Sequence, residues 1–242
     1  MRRAAGEVVR SRLRTGAAAL VVGILAAGCQ WPRDVDGTLE RVRGGTLRVG
    51  VVEADPWASA TGPQPRGVEV RLVQDLAHQV DAEVAWVPGA TAELVSGLHD
   101  GALDLVVGGL TDQDPWTAQV TFTRPYVTTR SVVAVPEGEP APEDVEGRTV
   151  RLEADSQLEG LLRAAGAEPQ VVPDAGEGTG PVAVEDWQLD LHGLRETEVE
   201  LRSDQHVWAV RPGESGWQVE VERFLLRLDP ARVQRLLDEE GA

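Results

Sequence analysis

From Gly101 to Tyr126 the chain reads GALDLVVGGLTDQDPWTAQVTFTRPY, and no other stretch limits the fold as much. Ala102 to Val107 is apolar except for Asp104 and is bounded by Gly101, Gly108 and Gly109, the pattern of a short buried strand. A glycine pair directly after a strand lets backbone N–H groups come close to a ligand, because no Cβ stands in the way. Thr111 then offers a hydroxyl, and the stretch closes on Phe122, Pro125 and Tyr126.

The residues before it alternate in type. Thr46 to Val52 (TLRVGVV) reads as a buried first strand. Glu53 to Gly67 carries Pro56, Pro63 and Pro65 and reads as a loop. Val73, Leu76, Ala77 and Val80 recur at helical spacing, which predicts an amphipathic helix over Glu69 to Val80. A strand over Glu83 to Val87 and a helix over Thr91 to His99 follow. Strands alternating with helices predict an α/β fold with a mostly parallel sheet. In such sheets ligands sit beyond the carboxyl ends of the strands. The loops Glu53 to Trp57 and Gly108 to Trp116 both follow strands and belong to that edge.

Past Tyr126, strands are expected at Ser131 to Val135, Arg148 to Leu152, Gln170 to Val172, Val182 to Glu185 and Val207 to Val210. A helix is expected over Ser156 to Ala165, with Ser156 as its N-cap. The segment PDAGEGTG after Val172 cannot form a helix. The last third is helical: Trp217, Val221, Phe224, Leu225 and Leu228 share a face. Asp229-Pro230 then restarts a helix, with Asp as cap and Pro in the first turn.

Gly101, Asp104, Gly109, Thr111, Val120, Phe122, Pro125 and Tyr126 fit a known pattern. It is G-x-x-D-(apolar)-G-x-T-x-T-x-E-R-x-x-x-(V/I)-x-F-S-x-P-Y, and it resembles the signature of family 3 solute-binding proteins. These are the extracytoplasmic receptors of polar amino acid ABC importers. Gly67, Val68, Glu69, Val70 and Leu72 fit the family's first helix start, with Arg71 where Asp is usual. The resemblance implies a type II periplasmic-binding-protein fold of two lobes, each a mostly parallel sheet flanked by helices. It implies lobe 1 over 45–127 plus 211–242, and an inserted lobe 2 over 128–210. Lobe 2 is shortened, because the helix the family has after Val172 is missing.

The resemblance also places the ligand. It implies a shelf of Gly109, Thr111 and the residue at position 116, faced from lobe 2 by Ser156 and Asp186. The family's arginine, which pairs with a ligand carboxylate, falls on Trp116. An indole cannot pair with a carboxylate, but it offers a π-face to a cation or a flat ligand. Trp57 could add a second face, and Glu53, Asp55 and Asp186 negative charge. A compensating arginine could come from Arg66, Arg71, Arg124 or Arg130. Asp155 beside Ser156 would repel an anion. This set leans toward a cationic or aromatic ligand, while core packing is the plain alternative for each Trp.

The N-terminus has its own logic. Arg2, Arg3, Arg10, Arg12 and Arg14 precede a small apolar run, Gly16 to Gly28, which suits a signal peptide over 1–28. Leu25-Ala26-Ala27-Gly28-Cys29 looks like a bacterial lipobox, with cleavage before Cys29 and a diacylglyceryl group on its sulfur. Cys29 is the only cysteine, so no internal disulfide exists. Residues 29–44 then form a lipid-anchored linker. Residues 1–28 carry five Arg and one Glu, so their removal takes the formal charge from −17 to −21. That acidity argues against nucleic acid.

His78, His99, His192 and His206 lack metal-ligand spacing and read as surface or satisfied residues; no cofactor motif is present. The function implied is a monomeric, lipid-anchored receptor on the outer face of the cell membrane. It closes on a small molecule and delivers it to an ABC permease. Its alternative is a divergent lipoprotein that keeps the fold but binds a protein or senses. An enzyme is the third reading, since a few relatives of this fold are dehydratases.

Overall fold

The computed structural model describes residues 34–154 and 157–241. They form two five-stranded sheets. The chain opens with a one-turn helix, α1 (Thr38–Val42), then β1 (Thr46–Val51), α2 (Val68–Gln79), β2 (Glu83–Pro88), α3 (Thr91–His99), β3 (Leu105–Val107) and β4 (Thr121–Phe122). It continues through β5 (Val127–Pro136), β6 (Thr149–Glu153), α4 (Leu158–Ala164), β7 (Glu168–Val172) and β8 (Val182–Glu185). A 3-10 turn (Asp186–Gln188), α5 (Leu189–His192), β9 (Leu194–His206), β10 (Ala209–Val210), α6 (Ser215–Leu225) and α7 (Pro230–Glu240) complete it.

The first sheet has the order β2-β1-β3-β10-β4 and the second β7-β6-β8-β5-β9. β1 runs parallel to β2 and β3, and β6 parallel to β7 and β8. β10, β5 and β9 pair antiparallel. The chain passes between the sheets twice, at residues 123–126 and at 207–208. This is the two-lobed α/β fold that the resemblance implied. Ala209 pairs with Val106 and Phe122, so β10 belongs to the first sheet, although the expected lobe 2 ran on to residue 210.

Period-two alternation divides each sheet between two cores. Leu47, Val49, Leu105 and Val107 face α2, α6 and α7, where Trp208 and Trp217 are fully buried. Val106, Val207 and Ala209 face α3. In the second lobe, Val133, Val150, Leu152 and Ala183 pack under α4. Val132, Ala134, Val182 and Val184 pack on the other face with Ala175 and Leu194. No helix forms between β7 and β8, as the Gly- and Pro-rich segment predicted. Buried Arg151 organises that loop instead, donating to the carbonyls of Ala175, Glu177 and Gly180.

The described part of the expected linker over 29–44 is docked on lobe 1. Asp34 accepts from the backbone N–H groups of Leu39 (2.5 Å) and Trp217 (3.0 Å). Glu214, itself buried, accepts from those of Asp36 (2.9 Å) and Thr38 (3.1 Å). Arg41 of α1 reaches buried Asp104, which also takes Arg48 at 2.6 Å. Burial alone would raise the Asp104 carboxyl, but hydrogen bonds from Arg48 and Arg41 outweigh it and hold it below the usual range. Residues 34–43 are therefore pinned to lobe 1. Cys29 and the signal segment lie outside the described residues. Among the described residues, no helix is long and apolar enough to cross a membrane.

Candidate functional site

The carboxyl ends of β1, β3, β6 and β8 open into one cavity of about 910 Å³ between the two sheets. This is where parallel strands place ligands. Lobe 1 contributes Glu53 to Trp57, Gly109, Thr111, Gln113 and Asp114. Lobe 2 contributes Thr129, Glu153, Gln157, Glu185, Trp187, Gln188, Arg202, Asp204 and His206.

The glycine pair does not present its N–H groups to a ligand. Both are taken by the Glu69 carboxylate, at 2.5 Å from Gly108 and 3.0 Å from Gly109. Glu69 is completely buried at the start of α2 and accepts a third bond, 2.5 Å, from the Tyr126 hydroxyl. Burial pushes its carboxyl up, against these three donors. Gly108 has a φ of 128°, and a Cβ there would lie 2.3 Å from the Val52 carbonyl oxygen. The glycines thus serve the tight strand exit. Gly109 still lines the cavity, but without a free donor.

Of the other expected ligand residues, Glu53, Asp55, Trp57 and Thr111 line the cavity. Glu53 accepts from the Ala60 N–H at 2.8 Å, which with the Ser59 hydroxyl holds its carboxyl below the usual range. Asp55 lies 3.6 Å from Arg66 in a solvent-exposed pair. The Thr111 N–H donates to Asp114 Oδ2 at 2.7 Å, which fixes the loop.

Two expected residues do not line it. Trp116 packs against the α3 core, beside Phe122 and Val52. Asp186 accepts from Arg130 Nε at 3.2 Å, and Arg130 also holds Glu196 at 2.5 Å. Asp186 begins the 3-10 turn one residue after the strand, so its neighbour Glu185 takes the cavity side. Ser156 and Asp155 lie outside the described residues. None of Arg66, Arg71, Arg124 and Arg130 lines the cavity.

The residues that sequence reasoning missed come mainly from β9. Arg202, Asp204 and His206 stand two apart, so they share one face of that strand. Arg202 Nε lies 2.7 Å from Asp204 Oδ2. His206 is buried; its ring lies 3.8 Å from the Trp57 ring, tilted by 31°. Its Nε2 meets the Thr129 hydroxyl at 2.9 Å. Burial, helped by nearby Arg202, lowers the imidazole pKa to about 4, so the ring is neutral at pH 7. Glu185 takes the Ser131 hydroxyl at 2.8 Å, and burial pushes its carboxyl up. The alternation of 202, 204 and 206 was the available signal. It was hidden because the segment is too polar to read as a buried strand.

His192, read as lacking metal-ligand spacing, comes together with Glu153 and Asp174 at the cavity's edge. Their ligand-type atoms lie within 4.8 Å of one another. Glu153 and Asp174 also accept backbone N–H groups, from Ala175 and Gly176. This is a donor set of the kind that suits a divalent cation.

Two lobes joined by two crossovers, with a polar cavity between them, define a bilobal small-molecule-binding protein. The chain belongs to the bacterial extracellular solute-binding proteins, family 3, whose family model matches residues 47–238. No curated protein is significantly similar to it. Among solved structures it is similar to an ancestral cationic amino acid solute binding protein, with a TM-score of 0.65, 17% identity, and coverage of 86% of this chain and 100% of that one. It is similar to the BvgS periplasmic domain of B. pertussis, with a TM-score of 0.63 and 17% identity, over 86% of this chain and 45% of that one. A protein from Wolinella succinogenes in complex with lysine gives a TM-score of 0.56 and 17% identity, over 81% of this chain and 95% of that one. At these identities the likeness is one of fold.

Proposed function

We propose that the protein is an extracytoplasmic receptor that holds a small cation between its lobes. One observation carries the reading. Glu53, Asp55, Asp114, Glu153, Glu185 and Asp204 line the cavity, against Arg202 as its single Arg or Lys among the described residues. A carboxylate-lined, partly desolvated cleft attracts cations and repels anions. Trp57, in tilted ring contact with neutral His206, adds an aromatic wall suited to a cation or a flat group. The proteins of similar fold support the reading, since one is described as a cationic amino acid binder and another was solved with lysine. The activity is binding and delivery, with no catalytic step.

In this reading Cys29 carries the lipid, the chain sits on the outer face of the membrane as a monomer, and an ABC permease receives the ligand. Cys29→Ser is expected to move most of the protein from the membrane to the soluble fraction. Unchanged partitioning would contradict the anchor.

The ligand class is tested by thermal unfolding of the purified full chain against amino acids, polyamines, quaternary amines and aromatic acids. A ligand at a hundred times its Kd stabilises the native state by about 2.7 kcal/mol, which is readily seen. A raised midpoint with cations, and none with acids, is expected. A shift with acids alone, or no shift with any compound, contradicts the reading.

A further inference from the structure

An amino acid ligand brings a carboxylate, and a carboxylate in a cleft needs a cation, usually a guanidinium with its fork free. The position that resembles the family's arginine is Trp116, and it is partly buried against the α3 core. Arg202 is the only Arg or Lys among the described lining residues. Its charge is offset by a neighbouring carboxylate, although its Nε makes no hydrogen bond among the described residues. Asp204 lies on the same face of β9, its Oδ2 2.7 Å from Arg202 Nε, and it is largely buried. Glu185, across the same part of the cavity, also feels the Arg202 charge. A ligand carboxylate placed at Arg202 would face both acids.

The other cations near the cleft are held as well. Arg66 lies by Asp55, and Arg130 by Asp186 and Glu196. Arg66, Arg130 and Arg202 therefore each have a carboxylate at ion-pair distance that offsets their charge toward an incoming anion.

We propose that the ligand is a cation without a carboxylate, such as a primary diamine or an alkylguanidine, and that the Arg202–Asp204 pair excludes amino acids. This rests on the reading of the cavity as a cation site. Asp204 offsets the charge that would otherwise draw the carboxylate of an amino acid. Specificity then comes from a charge-compensated arginine as much as from the acidic wall, which is discrimination by rejection.

Matched pairs test it. The purified full chain is titrated calorimetrically with arginine and agmatine, and with lysine and cadaverine, each pair differing only in the carboxylate. Agmatine and cadaverine are expected to bind at least ~10-fold tighter than their amino acids, a difference of about 1.4 kcal/mol. Equal affinity, or tighter binding of the amino acid, overturns this inference and leaves the cation site standing. No binding by any of the four overturns both. Asp204→Asn provides the second arm, since it removes the charge that offsets Arg202 while keeping the side chain's shape. It is expected to narrow the gap within each pair by tightening the amino acid. A gap unchanged in the folded variant overturns the role given to Asp204.

Discussion

Glu69 shows how one side chain fixes the mouth of the cleft. It ties α2 to the turn after β3 and to Tyr126 at the first crossover. Glu69→Ala would leave two backbone donors and a phenol without partners. Each buried orphan costs about 1–3 kcal/mol, so a loss of ~3 kcal/mol or more is expected, read from the denaturant midpoint. His206 gives a pH signature. Its folded pKa, about 4, lies below the ordinary 6.5, so the unfolded chain takes the proton first. The stability tied to its neutral ring is present above pH 6.5 and is lost as the pH falls to about 4, up to ~3 kcal/mol. His206→Gln should flatten that part of the stability–pH curve, and a wild-type slope in the variant would contradict the assignment. Trp116→Ala should cost about 1–3 kcal/mol of stability and leave ligand affinity unchanged. At this scale the motif positions were legible, and Glu69 and Asp104 occupy structural posts. What was not legible was direction: the family resemblance put Trp116 and Asp186 near the cleft but could not say which way either side chain turned.

The elements were readable wherever the hydrophobic period was strong. Thr91–His99 and Val182–Glu185 formed as expected, and the helices after Ser215 bury the predicted Trp217, Val221, Phe224 and Leu225. β9 was not readable. Its thirteen residues include Glu196, Glu198, Glu200, Arg202 and Asp204, and only its two ends are fully buried. An edge strand of this kind is held by pairing with β5, a non-local contact that no local pattern reveals. α1 was missed for a related reason. A five-residue helix has no useful period, and it forms because Asp34 and Glu214 cap and dock it. Asp34→Ala should therefore destabilise lobe 1 by roughly 1–2 kcal/mol and raise amide exchange across Asp36 to Val42. Unchanged exchange there would mean that the segment is held by something other than this docking.

Among the described residues the sheets meet through the two crossovers, through the contact of Trp57 and the 111–112 loop with the end of β9, and through a clasp at Trp187. At the crossovers the Thr123 N–H donates to the Trp208 carbonyl, and the Tyr126 N–H to the His206 carbonyl. Trp187 of lobe 2 is buried in the core of lobe 1, and Gly241 at the end of α7 leaves room for its ring. The cavity is thus bounded by both lobes, and a ligand in it touches both. Family resemblance gave the bilobal plan, because glycines, prolines and strand runs set it locally. The cavity's charge was only partly legible, since Glu153, Glu185 and Asp204 reach it from three strands that are distant in sequence. The most direct measurement is a calorimetric titration of the full chain with agmatine and with N-carbamoylputrescine, which share a shape, lack a carboxylate and differ by one positive charge. If the acidic wall selects the ligand, agmatine binds at least ~10-fold tighter than N-carbamoylputrescine. Equal binding, preference for N-carbamoylputrescine, or no binding of agmatine would contradict a cation site in this cleft.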